Sequence, residues 1–397
     1  MSAHFRKPSL GALTTAALAL PGLGAAPAAA QTGDDWQTDY LYSFYKEGDI
    51  GGGKTSSGSS VERYEIQTHS LRAVKPIGER SVGVDFLYET LSGASPWYVQ
   101  PDTDGRPEQV MSRPTINEER FDLQLSGSTP LNAQLALNMS AGVSDEDDYQ
   151  ARYGTAELSY ELAGLPMTVT GSLSYSDDEL DPTQGTYDTD PAADSKSTLR
   201  GTASASYVLN RNTLVQAAAG FLRHSGYLSD PYKRFFVRGG SLPFDARPDG
   251  RRGFHLIGKL RHFVERFNGA AHVDYRYYQD DWEIHSHTLE LTWHQSLAQT
   301  WRISPGLRWY SQSQAFFYAP FFDQVREDGF GSSDYRLSPY GAISARLDVT
   351  KSWNQLAAGF GVEYYEADGS YATGSVDVES PGLVDYTVFT ARLAYSF

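Results

Sequence analysis

Arginines and acids recur at alternate positions in the second half of this 397-residue chain. Lys259 and Arg261, Asp274 and Arg276, Glu290, Arg302 and Arg308, Arg346 and Asp348, and Glu363 and Arg392 each fall opposite the apolar residues of their own segment. Arg facing Asp or Glu on neighbouring strands builds a transverse ladder. Around an aqueous lumen, such a ladder sets a local field that sorts ions and small solutes. Stiffening of the wall is the plainer reading of the same pattern. A Lys or Arg turned to lipid at mid-membrane costs roughly 2 to 4 kcal/mol, so the charged set is placed inward.

Histidines cluster at His255, His262, His272, His285, His287 and His294. His285 and His287 share one face of a strand and are weak candidates for gripping a metal, since a third ligand would have to come from a neighbour. Hydrogen-bonded lumen or rim histidines are the plainer reading, and no metal or other cofactor is expected. Ser286, His287 and Asp280 contain the residue types of a hydrolase relay, but nothing in their order makes them one. The chain has no G-x-S-x-G elbow and no H-E-x-x-H, and Gly51-Gly52-Gly53-Lys54-Thr55 lacks phosphate-loop spacing, so no catalysis is expected. With no Cys there are no disulfides, thiol nucleophiles, Cys-ligated clusters or haem attachment motifs.

The elements that must position these groups are written in period two. In the last segment Thr387, Phe389, Ala391, Leu393, Tyr395 and Phe397 fall on one face and Val388, Thr390, Arg392, Ala394 and Ser396 on the other. The alternation predicts strands near 39–46, 60–74, 80–91, 116–126, 131–143, 149–162, 167–176, 197–209, 214–225, 253–264, 270–279, 283–297, 301–312, 336–349, 353–365 and 386–397. The expected fold is all-β, a transmembrane antiparallel up-and-down barrel of about sixteen strands, or fourteen if one weak hairpin merges. Connections after even strands are tight, for example Asn268-Gly269 and Lys351-Ser352; those after odd strands are mostly long. Bacterial barrels place short turns in the periplasm and long loops outside, so the parity also gives an orientation, with Gln279-Asp280-Asp281 as the unusually short outer connection.

The start of the chain reads as an export signal. Arg6 and Lys7 precede an apolar stretch from Leu10 to Leu20, and Ala28-Ala29-Ala30 offers a cleavage site. Residues 1–30 are therefore expected to be removed, leaving 31–397 as a single barrel domain in a Gram-negative outer membrane. The net charge of −16 is unsuited to nucleic acid. It gathers in connections such as Asp145-Glu146-Asp147-Asp148, which are solvated loops or, through bridging divalent cations, contacts to lipopolysaccharide.

Some runs are more specific than alternation requires: Leu91 to Trp97, Tyr275 to Thr288, Trp301 to Pro305, Leu307 to Tyr310 and Ala315 to Tyr318. On these the mature chain resembles the outer-membrane barrels grouped as domain of unknown function 3570. The resemblance implies a signal peptide and an outer-membrane barrel and brings no activity with it. By the parity argument the signature residues Ser92, Pro96, Trp97, Asp280, Asp281 and Trp282 converge on the external rim.

Function is thus expected to be a passive, porin-like conduit for small solutes or ions, lined by Arg276, Arg302, Arg308, Arg346, Arg392, Asp274 and Glu290 and surrounded by outer-membrane lipid and lipopolysaccharide. Two other classes fit the same sequence. One is a non-catalytic sheath for a periplasmic redox lipoprotein, and the other a surface receptor or adhesion barrel.

Overall fold

A chain with lipid on one side and water on the other must alternate apolar and polar residues, and it must also pair every backbone amide; closing a sheet on itself does both. The computed structural model describes residues 36–112, 116–182 and 193–397. The expected leader, residues 1–30, lies outside the described residues, as does part of the acidic connection around 183–192.

Eighteen strands are present: β1 (Gln37–Glu47), β2 (Glu65–Ile77), β3 (Arg80–Gly93), β4 (Pro96–Pro101), β5 (Pro107–Met111), β6 (Ile116–Pro130), β7 (Leu135–Glu146), β8 (Tyr149–Glu161), β9 (Met167–Leu180), β10 (Asp194–Asn210), β11 (Thr213–Gly226), β12 (Gly250–Val264), β13 (Gly269–Asp280), β14 (His285–Leu297), β15 (Trp301–Gln312), β16 (Tyr340–Trp353), β17 (Leu356–Asp368) and β18 (Asp385–Ser396). Sixteen of them close into one antiparallel barrel, each paired with its neighbours in sequence and β1 sealed against β18, while β4 and β5 form a separate hairpin. The closing seam is continuous from Gln37 opposite Ser396 to Glu47 opposite Tyr386. The fourteen-strand alternative is overturned, because no hairpin merges: sixteen strands close the barrel, and β1 and the β7–β8 pair both carry full ladders.

Several boundaries differ from the sequence reading, each for a local reason. β7 starts at Leu135 because Asn132 Oδ1 accepts the amides of Gln134 and Leu135 and turns the chain there. β16 begins at Tyr340 because Asp334 caps a single 3₁₀ turn over Tyr335–Leu337. The next turn falls on Asn354, at φ 27°, rather than on Lys351-Ser352. Asp280 does not sit in the one unusually short connection on that side, since β7 and β8 are joined by Asp147-Asp148 alone.

Outward side chains form an exposed apolar belt, including Leu125, Met139, Leu173, Leu256, Leu307 and Phe360. Aromatic residues border it at both ends. At the end carrying Trp36 and Phe397, Lys351 lies over the rings of Trp301 and Trp353, and Lys75 over Trp36. The opposite end carries the long loops.

Candidate functional site

The charged positions picked out by alternation face the lumen, and several of them form ion pairs, most of these between strands. Arg261 holds Asp274 through both guanidinium nitrogens, at 2.5 and 2.8 Å. Arg346 on β16 reaches Glu290 on β14 at 3.3 Å and lies 3.0 Å from Asp348 on its own strand. Arg392 closes the ring by donating its Nε to Asp39 across the β1–β18 seam, at 2.7 Å. Arg72 and Asp85 add a looser pair, at 3.6 Å.

Arg276, Arg302 and Arg308 make no ion pair among the described residues. Arg276 lies over the ring of Tyr278. Arg308 lines a hollow with Glu290, Ser344, Arg346 and Glu363. The opposite wall is built differently: Ser140, Thr155, Ser172, Ser174, Thr202 and Ser204 take the inward positions of β7 to β10. Short hydroxylated side chains there leave room for water beside the charged wall.

Of the clustered histidines, the two brought together in the lumen are His272 and His294. Their ring nitrogens lie 3.1 Å apart, and His294 also meets Ser304 Oγ at 2.8 Å. His285 and His287 share the outward face with Leu289 and Leu291, at the loop end of β14. Each meets a tyrosine hydroxyl, Tyr277 for His285 and Tyr275 for His287. Among the described residues no three His, Asp or Glu are arranged to hold a metal.

Above the charged belt the long loops fold over the mouth as a packed layer. Val99 and Phe317 are fully buried and Phe235 nearly so. Tyr45, Ile66, Leu91, Tyr386 and Val388, lumen-facing at the ends of their strands, are buried with them. Backbone bonds stitch separate loops together: Arg238 donates to the Phe322 carbonyl and Ala246 and Gly331 exchange both bonds.

The signature residues tie this layer to the wall. Asp280 Oδ1 accepts the amides of Trp282 and Ile284, capping the β13–β14 turn, while its Oδ2 takes Arg251 and the Tyr278 hydroxyl. Trp282 packs edge-on against Phe317 and donates its indole N–H to the Gly250 carbonyl. Asp281 accepts the Arg252 amide. On the facing side the Pro96 carbonyl accepts from Lys233, and Trp97 and Tyr98 pack edge to face. Ser92 ends the β3 ladder opposite Glu65. Asp280 and Asp281 thus stabilise a hairpin, and the same Asp280 carboxylate also joins the β12 wall through Arg251.

The loop layer has an ionic centre that alternation did not reveal. Asp334, wholly buried, faces Arg247 at 2.9 Å, Lys233 at 3.7 Å and Arg336. Arg247 also binds Asp245 at 2.6 Å, and Arg336 binds Asp230 at 3.1 Å. Burial alone would raise the Asp334 carboxyl; Arg336, Lys233 and Arg247 overcome it and hold the group well below its ordinary value. At the edge, burial pushes Asp148 up to about 6, with Asp230 and Asp147 adding to the rise and the Tyr232 hydroxyl opposing it.

The barrel fold has counterparts among solved structures. CdiB from Acinetobacter baumannii aligns with a TM-score of 0.51 and 7% identity, over 92% of this chain and 61% of that one. OprB of Pseudomonas putida aligns at 0.45 and 9%, over 91% and 94%. The siderophore receptor PirA from A. baumannii aligns at 0.44 and 8%, over 85% and 53%, so the chain spans about half that receptor's length. At these identities the likeness is one of fold. No curated protein matches in sequence. The family model described as "Protein of unknown function (DUF3570)" matches residues 10–382, and the chain belongs to that family.

Proposed function

We propose that this protein is a non-catalytic outer-membrane barrel that passes small ions or hydrophilic solutes passively through a charged, water-lined lumen, with the packed loops governing the outer mouth. The even strand count, the antiparallel closure, the apolar belt between aromatic borders, and termini set opposite the long loops support outer-membrane placement.

The observation that carries the conduit reading is the mid-lumen belt. Its ion pairs keep contact with water, Asp348 at 38% and Arg392 at 58% side-chain exposure, and face a wall of Ser and Thr. A barrel serving only as a lipid-embedded scaffold gains nothing from Arg276, Arg302 and Arg308 standing on the lumen face without ion-pair partners, whereas a conduit uses their field.

A second reading is favoured by the loop layer. A buried network of Asp230, Lys233, Asp245, Arg247, Asp334 and Arg336 fixes the loops into one shape, as a surface receptor platform requires. Planar-bilayer recording on the purified barrel, with mass spectrometry of the same sample, separates these. Ohmic steps from a companion-free barrel support the conduit. A silent barrel supports the platform, and one carrying a stoichiometric periplasmic protein supports the sheath.

A further inference from the structure

On the outward face near the loop end, exposed cations usually stand opposite acids. Lys46 is the register partner of Glu65 and binds it at 2.6 Å. Arg152, opposite Asp177, lies 3.9 Å from Glu179. These are the arrangements expected, because like charges directly opposed on a sheet destabilise it.

Arg223 on β11 and Arg252 on β12 break the pattern. They are direct register partners, both exposed, and neither guanidinium has an ion pair among the described residues. The nearest candidate, Asp281, is turned to the Arg252 backbone amide, at 2.8 Å. Directly opposed antiparallel residues have Cα atoms only about 4.5 to 5.5 Å apart, so the two charges share one small patch of surface.

What lies beneath them sets the depth. Phe221 and Phe254 are also register partners, outward, and 47% and 42% exposed. Phe221 leans over Gly201 on β10, where a Cβ would stand 2.3 Å from its ring, and Phe254 packs near Tyr277. This is the aromatic border of the apolar belt. The arginines stand two residues beyond it, about 7 Å along the strand, at the level where headgroups meet the apolar belt.

We propose that Arg223 and Arg252 form a docking site for the phosphate of an outer-leaflet lipid whose acyl chains run down over Phe221 and Phe254. A phosphate between the two guanidinium forks turns a repulsive pair into two charge-assisted, bidentate contacts. The orientation rests on the outer-membrane reading above; the binding itself does not depend on conduction.

The test is native mass spectrometry of the detergent-purified barrel with phosphorylated lipid A and with its dephosphorylated form, alongside melting curves in lipid-free detergent. The wild type is expected to retain the phosphorylated lipid preferentially, and Arg223→Ala/Arg252→Ala to bind it about tenfold more weakly. Arg152→Ala is expected to bind as the wild type does. Because the repulsion is gone, the double variant is expected to melt no lower than the wild type without lipid and to lose the stabilisation that lipid confers. Equal retention by the double variant, indifference to the phosphate, or a change in oligomeric state with lipid retention intact overturns the site. Cell fractionation finding the protein outside the outer membrane would overturn the placement instead, leaving the in vitro phosphate preference as a separate result.

Discussion

Arg346 on β16 reaches past β15 to bind Glu290 on β14, over the small residue Gly306. Gly306 is the register partner of Arg346 on the intervening strand, and a Cβ there would sit 3.7 Å from the Arg346 Nε and 3.4 Å from Thr292 Oγ1. The lumen field therefore depends on a residue that carries no charge.

That geometry separates two substitutions. Gly306→Ala fits at ordinary contact distance and is expected to leave ion selectivity unchanged. Gly306→Val places methyl groups in the path of the guanidinium, at an overpacking cost of roughly 1 to 3 kcal/mol. It is expected to shift the reversal potential in the same direction as Arg346→Ala. Identical reversal potentials for Gly306→Val and the wild type would show that the crossing does not shape the field.

Arg276 and Arg308 carry unpaired charge into the lumen, so removing either is expected to make the pore more cation-preferring. In a screened aqueous lumen one unit charge changes the permeability ratio by about twofold. Arg276→Ala and Arg308→Ala are measured by reversal potential in a salt gradient, with heat-modifiable gel migration as the folding control. Unchanged potentials in both variants remove these residues from the conducting path.

Asp148 makes the loop layer pH-sensitive. Its folded value of about 6 lies above the ordinary aspartate value of about 3.9, so the folded layer binds the proton more tightly than the unfolded chain does. That stabilisation is complete below about pH 4 and is lost as pH rises through about 6. Above it a charged Asp148 sits beside Asp147 and Asp230. Hydrogen exchange in residues 227–249, corrected for intrinsic rate, is expected to rise between about pH 5 and 7, and Asp148→Asn to abolish that rise. The same rise in the variant would assign it to another group.

The wall was legible in the sequence and the loop layer was not. Lipid outside and water inside impose period two on every strand, and that period alone places Arg261, Asp274, Glu290, Arg346 and Arg392 inward. The same parity, applied through Leu289 and Leu291, turns His285 and His287 outward, whereas the pairing of Asp39 with Arg392 comes only from the β1–β18 register. Asp334, Lys233 and Arg247 sit in loops with no period. Their meeting depends on contacts such as Arg336 to Asp230, 106 residues apart, which no local pattern encodes.

Under the proposed function the lumen conducts and the loop layer limits it. Asp334→Asn removes the buried carboxylate that faces Lys233, Arg247 and Arg336, a loss of about 3 to 5 kcal/mol to the layer and none to the strand ladders. The most direct measurement is single-channel recording of the wild type and this variant in planar bilayers, both verified as folded barrels. Ohmic steps are expected in the wild type, and larger or longer-lived steps in Asp334→Asn. Silence from both barrels, or identical steps from a variant whose loops exchange hydrogen faster, contradicts the proposed function.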